Sequence, residues 1–142
     1  MPDSRETWRM RFTIVPVASS GLKVVEARFR GVQLHDSADV DEWARRVNVE
    51  LARFGERVDL LICLDGLHVH PAASRAFGAV RAKVLSTHAR HSVRYGADKW
   101  TATSVNTSRV LYGAEANIFD TRDQALAALL EQRDADDREQ SS

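Results

Sequence analysis

The sequence predicts one α/β domain built on a mixed, largely parallel sheet, with an opening β-hairpin and about four helices. Three observations predict it. Trp8 to Val15 and Leu22 to Phe29 each alternate apolar and polar residues, with Ser19-Ser20-Gly21 between them. That is the pattern of two half-buried strands joined by a turn. Val58 to Leu64 is a strongly apolar run, which suits a central strand covered on both faces, as in a parallel sheet. Beyond it, segments with helix and strand patterns alternate, the order that makes parallel strands with crossover helices.

The elements follow in turn. In the first strand Trp8, Met10, Phe12 and Ile14 alternate with Arg9, Arg11 and Thr13. In the second, Val25, Ala27 and Phe29 alternate with Glu26, Arg28 and Arg30. Asp36 to Phe54 carries Val40, Trp43, Val47, Leu51 and Phe54 at helical spacing. Asp39 with Glu42 fits a capping box there, Ser37 is an alternative cap, and Gly55 is placed to end the helix. After the apolar strand, Asp65-Gly66 breaks the run and Pro71 sits at a first helical position. Ala73, Phe77, Val80 and Val84 give the second helix its buried stripe.

His91 to Tyr95 reads as a short strand with His91, Val93 and Tyr95 on one face. Trp100 to Tyr112 fits either a helix or a threonine-rich strand. The helix keeps the alternation regular, so helix is the expectation. Asn117-Ile118-Phe119 is a last short strand, and Thr121 with Gln124 caps a final helix that turns Leu126, Leu129 and Leu130 inward. The expected order is β-β-α-β-α-β-α-β-α. Residues 1–7 read as an N-terminal extension, 8–131 as the domain and 132–142 as a charged, frayed tail.

The composition narrows the function. The chain has 142 residues, 20 basic and 20 acidic, for a formal net charge of zero. A balanced chain lacks the basic footprint of a nucleic-acid or anionic-membrane binder. No window approaches the ~20 apolar residues of a membrane span, and no apolar leader follows Met1. Cys63 is the only cysteine and lies within the apolar strand, where it acts as a small hydrophobe. These points give a cytoplasmic expectation.

The residues that could carry chemistry cluster after the apolar strand. His68 and His70, at i and i+2 in extended chain, point the same way. They could serve a metal if His88 or His91 supplied a third ligand, or they could hydrogen-bond backbone around Asp65. Ser74 lies four residues beyond His70, yet no strained elbow or oxyanion arrangement accompanies the pair. Gly66 and Gly78 do not sit in a phosphate-loop spacing, although the helix start near Pro71 could accept an anion. Arg75, Arg81, Lys83, Arg90 and Arg94 make 75–94 locally basic, against acidic Asp36, Asp39, Asp41 and Glu42. Opposite charges on separate surfaces could support partner docking or self-association, or be solvated helix faces.

The stretch Leu61-Ile62-Cys63-Leu64-Asp65-Gly66-Leu67 is an apolar strand running into a loop, ahead of the helix that starts near Pro71. Asn117-Ile118-Phe119-Asp120-Thr121-Arg122-Asp123-Gln124-Ala125-Leu126 runs from short strand to helix. With the element order, these resemble the STAS domain shared by sulphate transporters and anti-sigma-factor antagonists, over roughly residues 8 to 131. The second stretch is similar to the end of small stand-alone STAS-like proteins. The resemblance implies a non-catalytic regulatory module that binds another protein. It departs from the family at one place. The antagonists carry a phosphorylatable serine, usually in an Asp-Ser-Ser-Gly context, where the loop enters the second helix. Alignment on Leu64-Asp65-Gly66-Leu67 puts Pro71-Ala72-Ala73-Ser74 there, with alanine at both candidate positions.

The expected binding residues are therefore Asp65, Gly66, His68, His70, Ser74 and Arg75, with no catalytic residue, metal or cofactor. The expected partner is another protein or a second copy of the chain, not nucleic acid or membrane. The alternatives are a nucleotide- or lipid-binding module at the same loop, and a small histidine-dependent enzyme or metal protein.

Overall fold

The computed structural model describes residues 4–17, 23–98, 101–106 and 117–140, the side chains of Ser4 and Gln140 excepted. The strands are β1 (Arg9–Val15), β2 (Val24–Arg30), β3 (Val32–Leu34), β4 (Val58–Cys63), β5 (Leu67–Val69), β6 (Ala89–Tyr95) and β7 (Ile118–Phe119). The helices are α1 (Ser37–Ala52), α2 (Ser74–His88), α3 over 101–106 and α4 (Arg122–Gln140). Short 3₁₀ turns cover Ser4–Thr7 and Pro71–Ala73.

The main sheet has the order β1-β2-β4-β6-β7. β1 and β2 are antiparallel, with Arg9 opposite Arg30 and Val15 opposite Val24. β2–β4, β4–β6 and β6–β7 are parallel. From β2 onward each connection steps in the same direction across the sheet, so right-handed crossovers place their helices on one face. Buried residues of α1, α2 and α3 (Val40, Trp43, Phe77, Val84 and Val105) accordingly share one core with Val25, Ala27, Phe29, Leu60 and Leu64. α4 follows the last strand and takes the opposite face, where Ala125 and Leu129 pack on Leu61, Cys63, Val93 and Tyr95. β4 is thus central and doubly covered: Val58, Leu60 and Leu61 are 0–2% exposed.

Several expectations are corrected. The first helix is capped by Asp36, not by Ser37 or Asp39: the Asp36 carboxylate accepts from the Asp39 N–H at 2.9 Å. Asp39 instead leaves the cap role and turns to His35 and Arg5. The segment after β4 is not all loop, because Leu67–Val69 pairs in parallel with Val32–Leu34. β6 is seven residues long and interior, since it pairs on both sides. The final helix runs to Gln140, and Arg133, expected in a frayed tail, is buried. Arg81 and Arg94 of the basic stretch are interior as well, not solvated. Trp8 is buried under the Arg46 guanidinium, 5.0 Å from the ring centre. Residues 101–106 of the ambiguous stretch are helical. The hairpin turn Ser19–Gly21, Trp100 and residues 107–112 lie outside the described residues.

Candidate functional site

The site forms where β2 and β4 end. Each strand kinks at a glycine in the left-handed region, Gly31 (φ +67°) and Gly66 (φ +105°). Each then continues and re-pairs as the β3–β5 ribbon. Gly66 has a second reason to be glycine: a Cβ there would sit 2.2 Å from the Phe29 carbonyl oxygen. The Gly66 carbonyl accepts from the Val32 N–H at 3.0 Å, which sets the ribbon register.

Period two sorts the ribbon's side chains. Val32, Leu34, Leu67 and Val69 are buried, while Gln33 and His68, directly opposite each other, are exposed. One step beyond the ribbon, the His35 and His70 rings stack with centroids 4.2 Å apart and 26° between planes. Four polar side chains, three of them imidazoles, therefore cover one outward face beyond the carboxyl ends of parallel strands. That is where open α/β sheets present their ligand sites.

Each imidazole is anchored. His70 Nε2 lies 3.3 Å from Gln33 Oε1. His35 Nδ1 lies 3.3 Å from Asp39 Oδ2, and the His35 N–H donates to the same oxygen at 2.9 Å. His68 Nδ1 pairs with Asp98 Oδ2. Burial opposes ionisation of both carboxyls. The His35 N–H and the Arg5 side chain nevertheless hold Asp39 below its ordinary range. The Thr101 N–H and His68 do the same for Asp98. Asp98 also caps α3, since its Oδ1 accepts from the Thr101 N–H at 2.8 Å. The Thr101 hydroxyl in turn bonds the Val69 N–H and the Leu67 carbonyl, closing the outer edge of β5. Two backbone groups on the outer edge of β5 are thus satisfied by a side chain of α3.

The structure brings together only part of the expected set. His68 and His70 line one shallow groove of about 510 Å³ with Gln33, Pro71 and Asp98. Asp65 and Gly66 line a different groove, with Arg9, Arg11, Arg28 and Arg30. Ser74 opens α2 half-buried and donates to the Ser104 hydroxyl at 3.0 Å, so it joins α2 to α3 and makes no bond to His70. Arg75 is exposed on the first turn of α2. Of the two alanines just before Ser74, Ala73 is fully buried and Ala72 is exposed.

Gln33, His35 and Asp98 were missed from sequence. His35 carried a usable signal, since Gln33 and His35 repeat the i, i+2 pattern of His68 and His70. Asp98 carried none, because its partner is 30 residues away. Among the described residues no three His, Cys, Asp or Glu side chains are placed to share a metal ion. No described helix is long and apolar enough to cross a membrane. No protein-family profile matches the sequence, and no curated protein matches it significantly.

Proposed function

We propose that this chain is a STAS-like regulatory module, non-catalytic and cytoplasmic, that binds another protein through the outward face of the β3–β5 ribbon and the start of α2. The carrying observation is the face itself. Gln33, His35, His68 and His70 stand outward on a backbone whose inner side chains are buried. A preorganised polar face on a rigid scaffold loses little entropy on docking. The strand order, with one antiparallel edge strand and helical crossovers on one face, supports the family resemblance drawn from Leu61–Leu67 and 117–126. The alanines at 72 and 73 and the Ser74–Ser104 bond support a module without the usual serine switch.

The experiment is a cross-linking pull-down from source cells with wild-type chain and with the His68→Ala, His70→Ala double variant. The reading expects a protein retained by wild type and lost by the variant, with the far-ultraviolet circular dichroism unchanged. Identical retention by both chains would rule out the ribbon face. A small-ligand reading is favoured by one observation, the groove beside Pro71 and the helical turn that starts there. A rise in melting temperature with added nucleotide that the double variant abolishes would select it.

A further inference from the structure

The histidine face is not the only exposed surface with a marked chemistry. β1 is the edge of the main sheet: it hydrogen-bonds to β2 on one side, and no described strand lies on the other. Its two faces differ sharply. Met10, Phe12 and Ile14 point toward the α1 side, and Ile14 is 55% exposed. Arg9 and Arg11 point to the other side, opposite Arg30 and Arg28 of β2. All four arginines are exposed. Of the described helices, α4 packs chiefly on β4, β6 and β7, away from this corner of the sheet.

Like charges directly opposite on an antiparallel pair are destabilising. Here two such pairs stand side by side. Glu26 lies 3.4 Å from Arg28, and Asp65 lines the same groove of about 780 Å³. Among the described residues, Arg9, Arg11 and Arg30 pair with no carboxylate; Arg9 donates to the carbonyls of Glu6 and Trp8. A charged edge strand is a known guard against unwanted sheet pairing. That purpose accounts for Arg9 and Arg11 but not for Arg28 and Arg30, which lie on an interior strand. A nucleic acid is disfavoured because the whole chain has no net charge, and polyanion binding rests on an excess of basic residues.

We propose that the outer edge of β1, beside which no described strand lies, accepts an extended strand from a partner protein, with acidic residues on one face of that strand and apolar residues on the other. A strand added to β1 has the same rise, about 6.6–6.8 Å between alternate side chains. Its side chains on one face therefore fall in step with Arg9 and Arg11, and those on the other with Phe12 and Ile14. The main-chain ladder supplies affinity and the alternating side chains supply selection. This surface is separate from the β3–β5 face, so it stands whether or not that face binds.

The test uses a short synthetic peptide alternating valine with glutamate, and a valine–lysine peptide as control, in a fluorescence anisotropy titration against the full chain. The glutamate peptide should bind, more weakly as salt rises, and the lysine peptide should not. Arg9→Glu with Arg11→Glu should weaken the glutamate peptide by at least about tenfold while leaving the fold intact, since both side chains are exposed. Ile14→Glu is the second variant and should also weaken it. Amide exchange across Arg9–Val15 should slow on binding. Equal binding of both peptides, or no binding of either, overturns the proposal. Binding without slowed exchange would mean a ligand lying on the sheet face, which overturns strand addition. Tighter binding of a single-stranded oligonucleotide or of anionic vesicles would assign the surface to those partners instead. If Arg9→Gln with Arg11→Gln only makes the chain self-associate, the arginines are an edge guard and the proposal fails.

Discussion

Arg133 Nη1 of α4 lies 2.5 Å from Asp59 Oδ2 of β4, and the two side chains are 3% and 0% exposed. Asp59 also accepts from Arg90 Nη2 at 2.9 Å and from the His91 N–H at 3.1 Å. Near the other end of α4, Arg122 bonds both carboxylate oxygens of Glu26, at 2.9 and 3.2 Å. Two carboxylates facing the same side of the sheet, Glu26 of β2 and Asp59 of β4, thus hold α4 at points 11 residues apart, Arg122 and Arg133, about 16 Å along the helix. Neither carboxylate is left buried without a cation, which is what makes its burial tolerable.

Arg133→Met should therefore destabilise the domain. Losing one partner of a buried pair costs about 3–5 kcal/mol. The Arg90 and His91 contacts remain, so the lower end, about 3 kcal/mol, is expected in urea unfolding. A chain ended after Glu131 should lose at least as much stability. A truncated chain as stable as the full one would show that the last turns of α4 are dispensable.

Gly66→Ala should disrupt the hinge between β4 and β5. The new Cβ meets the Phe29 carbonyl, and the backbone there has φ +105°. Strain of this kind costs about 1–3 kcal/mol, and the steric contact adds to it. Thermal unfolding should report the loss. Gly55→Ala, also at positive φ but with open space around the Cβ, should cost less, about 1 kcal/mol.

Glu26 should contribute to acid unfolding. Burial would raise its pKa, but hydrogen bonds from Arg122 and Tyr95 outweigh that and hold it below its ordinary 4.5. A depressed folded-state pKa gives stability that is present above the unfolded pKa and fades as pH falls through the folded one. Glu26→Gln should therefore be less stable than wild type at pH 7. The gap should shrink below about pH 4.5. Urea titrations from pH 7 down to pH 3 would check it, and a gap independent of pH would contradict the assignment.

Ser74 should carry no phosphate in cells. Its hydroxyl is half-buried and donates to Ser104, and the preceding residue, Ala73, is fully buried. Mass spectrometry of the peptide spanning Asp65–Ala79 should find it unmodified. Stoichiometric phosphate on Ser74 would contradict this and would make Ser74 a modification site.

The sequence by itself determined the order of the main elements and the apolar helix residues that form the core, Val40, Trp43, Phe77 and Val84 among them. Alternation in 8–15 and 22–29 and the apolar run at 58–64 marked the strands because burial acts residue by residue with a fixed period. His68 and His70 were legible as a pair for the same reason: two-residue spacing puts both on one face of any extended segment. What lay outside its reach were contacts between segments far apart in the chain. Leu67–Val69 is too short to announce itself as a strand; it becomes one only because the chain turns at Gly31 and Gly66 and brings two segments into register. His35 joins His70, and Asp98 joins His68, through that re-pairing. The charged end of the chain read as a solvated tail because local composition counts charges without their partners. The tertiary structure supplies those partners: Asp59, 74 residues before Arg133, and Glu26, 96 residues before Arg122. A buried ion pair is decided by which two segments the fold brings together, and no local period encodes that.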